Sequence, residues 1–152
     1  MSDTTSSERP RLLIPGLGGL YASLYEIAET IMRVVAGAAL VTHGYSKILN
    51  PFGASGMVEG IGLFPGPAGF WSFALSVTEF FGGICIALGL LTRFWSLGAF
   101  IVLLVTVYFH WVLQGEGWGG AEKSVIWASV MFFFMIRGAN RHSLDARIGW
   151  QV

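Results

Sequence analysis

Residues 70–91 read FWSFALSVTEFFGGICIALGLL, an apolar run with one charged residue, Glu79, near its middle. About 20 consecutive apolar residues are what a helix needs to cross a bilayer. A charge at bilayer depth costs about 2.5–3.5 kcal/mol on insertion scales, so Glu79 calls for a polar neighbour. An earlier apolar stretch, residues 24–49, carries Arg33 near its own middle. Opposite charges at similar depth predict a buried Arg33–Glu79 pair inside a helix bundle.

Composition supports a membrane protein. The chain has 152 residues, enough for one domain, of which 54% are hydrophobic and only 12% charged. A soluble domain carries about 25% charged residues. Mean hydropathy is +0.65. Formal net charge is zero, so there is no basic footprint for nucleic acid. Cys85 is the single cysteine, which excludes an intramolecular disulfide, a CxxC pair and a cysteine-based metal site. No metal site is expected. The opening MSDTTSSER is polar and does not read as a cleaved signal peptide.

Four spanning segments follow from the apolar runs, at about 21–47, 69–91, 93–113 and 121–136. The resulting fold class is all-α, an integral membrane four-helix bundle over 21–137. A polar tail and interfacial segment (1–20) precede it and a cytoplasmic tail (138–152) follows. Only Leu91-Thr92-Arg93 separates the second and third segments, which makes them antiparallel neighbours. Arg9, Arg11, Arg93, Arg137, Arg141 and Arg147 fall on one side, and Lys47 and Lys123 on the other. By the positive-inside rule both termini are then cytoplasmic. Trp71, Trp111 and Trp118 fall near the outer interface and Trp95 and Trp150 near the inner one, an aromatic belt from which Trp127 stands apart. The connection 50–67 is rich in Gly and Pro, which argues against a regular helix, yet it carries Phe52, Met57, Ile61, Leu63 and Phe64. It reads as a cap that dips into the outer end of the bundle.

Two groups of residues carry candidate chemistry. On the first segment Glu26, Glu29, Arg33, His43 and Lys47 fall on one helical stripe. That stripe faces the bundle interior, where charge is tolerated, although a Glu29–Arg33 pair within the helix and a snorkelling Lys47 would also account for it. Ala36 and Gly37 lie beyond Arg33, and Gly82 and Gly83 beyond Glu79. Small residues there allow the two helices to approach closely. Arg33 and Glu79 would serve as a buried pair or proton relay. At the outer end His43, Lys47, His110 and Glu122 come to similar depth. Such a cluster can exchange protons and hold a quinone carbonyl or a sulfur oxyanion; interfacial hydrogen bonding is its plainer use. Haem held by His43 and His110 rests on two lone histidines and is the weakest reading.

These residues also form an ordered set. Arg33 is followed by His43-Gly44-Tyr45-Ser46-Lys47, then Glu79-Phe80-Phe81-Gly82-Gly83, Leu88-Gly89-Leu90-Leu91-Thr92-Arg93, His110, Gly120-Ala121-Glu122 and Ser143-Leu144-Asp145. The set resembles the DoxX family of small four-helix bacterial membrane proteins, over most of the chain from about Arg33 to Asp145. Ala121 stands where the family often has Tyr or a similar residue. The resemblance implies a subunit of a quinone-linked or redox membrane complex in the bacterial inner membrane. With one cysteine and no GxGxxG loop, the electron carrier would be a quinone or belong to a partner.

The leading expectation is therefore a redox-complex subunit that is not catalytic alone. A small proton-coupled transporter and a passive assembly or anchoring subunit are the alternatives. Beyond the lipid bilayer, a homo-oligomer or further membrane subunits are expected, because four helices offer little interior volume.

Overall fold

Glycine and proline set the ends of the helices, and the apolar runs fill them. A computed structural model describes residues 12–150. Residues 1–11 and 151–152 lie outside the described residues, and with them the polar opening, Arg9 and Arg11. After a 3-10 turn at Pro15–Leu17, α1 covers Gly18–Leu49. A short α2 (Ser55–Ile61) leads to α3 (Ala68–Leu88), which passes through a π-helical turn at Thr78–Gly82. α4 covers Thr92–Leu113 and ends in a second π-helical turn, Phe109–Leu113. α5 covers Gly117–Arg137, and a last turn, α6, covers Leu144–Ile148. There is no strand among the described residues.

α3, α4 and α5 have 21, 22 and 21 residues and are long and apolar enough to cross a membrane. At about 1.5 Å per residue each is roughly as long as a bilayer's hydrocarbon core is thick. α1 has 32 residues but interrupts its apolar sequence with Glu26, Glu29, Arg33, His43 and Lys47. The end expected at 113 holds and the other ends shift by one to four residues. The first helix already begins at Gly18, within the segment before residue 21. The 50–67 connection is not irregular throughout either. α2 forms there because Val58 and Ile61, one turn apart, are both buried.

α1 packs along α3, α3 turns back onto α4, and α4 packs along α5. Glycine sets the α1–α3 register. A Cβ on Gly37 would lie 2.5 Å from the Gly83 carbonyl oxygen, and one on Gly44 would lie 2.5 Å from the Phe80 nitrogen. Gly83 thus meets α1 as its sequence suggested, whereas Gly82 faces the Trp95 ring on α4. Around the Gly37–Gly83 contact Ala36, Leu40, Ile86, Ala99 and Met131 form the buried apolar layer.

This register overturns the expected Arg33–Glu79 pair. Arg33 lies level with the end of α3, about 10 Å below Glu79 at 1.5 Å per residue. It is 1% exposed. Its Nη1 donates to the Ile86 and Ala87 carbonyls and its Nη2 to the His142 carbonyl, each at 2.8 Å. A helix leaves its last carbonyls without intrahelical donors and carries negative charge there, so a guanidinium fits. Depth judged from the middle of each run failed because α1 continues well past the end of α3.

The C-terminal segment is folded back against α1 and the α3–α4 turn. Asp145 accepts from the Leu91 and Thr92 N–H groups at 2.7 and 3.1 Å, satisfying free donors at the start of α4. The Asp145 N–H donates to the Gly89 carbonyl at 2.8 Å. Gly89 has φ +72°, and a Cβ there would collide with Ser143 and Arg33, so both backbone and space require glycine. Asn140 donates to the Glu26 carbonyl, Arg141 pairs with Glu26, and Arg137 lies 3.6 Å from buried Glu29.

Candidate functional site

Above the apolar layer the four long helices stand around a chamber of about 660 Å³. Small-molecule pockets have volumes of about 300–1,000 Å³, so the expectation of little interior volume does not hold. Each helix presents one stripe to it at helical spacing. α1 contributes Ala36, Leu40, His43 and Lys47; α3 contributes Leu75, Thr78 and Glu79; α4 contributes Val102, Thr106 and His110; α5 contributes Lys123, Ser124, Trp127 and Met131. Met57, Val58 and Ile61 of α2, with Phe64, also line it. The Trp71 indole N–H donates to the Pro65 carbonyl at 2.8 Å and its ring lies against Phe64 at 4.8 Å, which holds this cover to α3.

Most of the wall is aliphatic or aromatic, and the ionisable groups gather toward the end that α2 covers. Glu79 is buried and its carboxylate pairs with the Lys47 ammonium. His110 Nδ1 lies 2.7 Å from Glu116 Oε2. His43 and Lys123 line the chamber and make no ion pair among the described residues. Glu79 and His110 both sit in π-helical turns. A π turn alters the helical phase, and such turns are frequent at functional sites.

Of the residues singled out from sequence, His43, Lys47, Glu79 and His110 come together at the chamber, and Arg33 stays below the apolar layer. Glu122 does not join them. It is exposed and absent from the lining, and its neighbour Lys123 takes the inward position. α5 begins four residues before the expected 121, and its inward stripe runs through 120, 123, 124, 127 and 131. The stripe's spacing is readable in the sequence once Trp127 is placed inward. Glu116 was missed as the partner of His110 because a loop joins them rather than a helical period.

The arrangement defines a class: a helical membrane protein with a ligand-sized apolar chamber and an ionisable collar. The chain belongs to the DoxX family, whose model matches residues 28–111. That stretch holds Arg33, His43, Lys47, Glu79 and His110, and stops before α5. The chain is also 25% identical over 121 residues to a Bacillus subtilis (strain 168) protein named "Putative oxidoreductase CatD", covering 80% of this chain and 87% of that one. No solved structure gives a significant match.

Proposed function

We propose that this protein is a four-helix bundle subunit of a quinone-linked redox complex in the bacterial inner membrane, with both termini cytoplasmic. Its chamber binds a quinone ring or a similar small acceptor-headed molecule. The observation that carries this reading is one chamber with apolar walls and His43, Lys47, Glu79, His110 and Lys123 around it. The family membership and the oxidoreductase name of the Bacillus relative support it.

Converting a quinone to a quinol takes two electrons and two protons. The electrons would come from a partner subunit, and this chain's part is to seat the ring and supply protons. Apolar walls accept the ring by burial. Lys47, Lys123 and the histidines can donate hydrogen bonds to its carbonyl oxygens. His43 and His110 are the groups suited to pass protons near neutral pH. Glu79, paired with Lys47, is placed to pass a proton back to a histidine that has given its own to the ring.

A continuous transport path fits less well, since Ala36, Leu40, Ile86, Ala99 and Met131 close the chamber's inner side. The test is Glu79→Gln in the native complex. Quinone-dependent turnover should be lost while the protein stays in the membrane at its normal amount. Full turnover in that variant would sink the reading.

A further inference from the structure

The four sides of the bundle are not closed equally. α1 and α3 interlock through Gly37, Gly44 and Gly83, α3 and α4 meet at Gly82–Trp95, and α4 packs along α5. The fourth side, α5 against α1, has the sparsest packing. There the helices come together at the apolar layer, through Ala36, Leu40 and Met131. Above that layer both line the chamber.

Helical phase shows which residues edge this fourth side. Successive residues turn by about 100°. On α1 the α3-facing residues are Gly37 and Gly44, and Ala39 and His43 fall on the far edge of the chamber stripe. On α5 the buried Ala121, Ser124 and Ala128 mark the packed side, and Lys123 and Trp127 fall on the far edge. Four lining residues are exposed: Met57 on α2, Ile101 on α4, and His43 and Lys123, which fall on the two edges of this side. The outer end, by contrast, carries α2 and Phe64.

We infer that the chamber is loaded sideways from the bilayer through the cleft between α1 and α5, by a membrane-dissolved amphiphile whose hydrogen-bond-accepting head is held between His43 and Lys123. This rests on the reading of the chamber as a ligand site. A carbonyl or a carboxylate head satisfies the same chemistry, since Lys donates only and His43 has a free ring nitrogen to offer. The apolar body lies against Trp127 and Leu40, and a tail can remain in lipid through the cleft.

The test uses the full chain in phosphatidylcholine nanodiscs with decylubiquinone and dodecanoate as probes, followed by stopped-flow tryptophan emission. Binding of the first identifies a carbonyl head and binding of the second a carboxylate head. Ala39→Phe should slow loading about tenfold and Met57→Phe, in the outer cover, should not. His43→Gln and Lys123→Gln should each weaken affinity about tenfold, about 1.4 kcal/mol. Slowing by Met57→Phe with none by Ala39→Phe would mean entry from the outer water and overturn the inference while leaving the ligand site standing. Binding of neither probe overturns both. A nitroxide on Ala39→Cys, in a Cys85→Ser chain, reads the cleft without any ligand. Oxygen should broaden its spectrum more than a water-soluble nickel chelate does, and the reverse order contradicts a lipid-facing cleft.

Discussion

Gly44 lies against the backbone of Glu79, and the absent side chain is what lets Lys47, one turn further along α1, pair with the Glu79 carboxylate. A Cβ on Gly44 would sit 2.7 Å from the Glu79 carbonyl carbon and 2.5 Å from the Phe80 nitrogen. Both are backbone atoms and cannot swing aside. The charge pair at the collar therefore depends on a residue with no chemistry of its own.

Gly44→Ala should separate α1 from α3. Overpacking a closed contact costs about 1–3 kcal/mol, so the melting temperature in detergent should fall by several degrees. Gly56→Ala, within α2, is the control, because nothing lies within 4 Å of a Cβ there, and with the better helix former it should melt no lower than wild type.

Lys47 and Glu79 should separate stability from function. Removing one partner leaves the other with its charge unmet, at about 1–3 kcal/mol for a buried group. Lys47 is about one-third exposed, so the lower end applies to Glu79→Gln. The double variant Lys47→Met/Glu79→Gln should recover most of the lost stability and none of the quinone-dependent turnover. Recovery of both would make the pair purely structural.

Arg33 should act on folding without reference to Glu79. Its three carbonyl acceptors hold the end of α3 to the C-terminal segment, and hydrogen bonds from a charged donor contribute about 1.5–3 kcal/mol each. Arg33→Gln should lower expression and melting temperature sharply. Adding Glu79→Gln should bring no rescue, which thermal unfolding of the two variants and their combination will show.

Asp145→Ala should loosen the turn between α3 and α4. Loss of a side-chain acceptor at a helix start costs about 0.5–2 kcal/mol, and the Leu91 and Thr92 N–H groups lose theirs together. Limited proteolysis should then cut within 138–148 faster than in wild type, with the chamber's ligand affinity unchanged.

Apolar run length made α3, α4 and α5 legible in the sequence, and of the polar stripe of α1 Glu29 and Arg33 are buried while His43 and Lys47 line the chamber. What could not be read was vertical register. Arg33 and Glu79 each sit mid-run, but the Gly37–Gly83 contact fixes the helices with Arg33 at the end of α3. Helix phase was the second gap. Lys123, not Glu122, shares the inward stripe of α5 with 120, 124, 127 and 131, and the π turns at Glu79 and His110 leave no periodic trace. α2 was hidden because its stability comes from burying Val58 and Ile61, which glycine-rich composition conceals.

Native mass spectrometry of the protein in mild detergent shows most directly whether the chamber holds a small lipophilic molecule. Wild type should retain one such molecule per chain. Ala74→Trp, which fills the chamber from α3, should fold and lose it. Equal retention by the two proteins, or no bound molecule on either after incubation with decylubiquinone, would contradict the account.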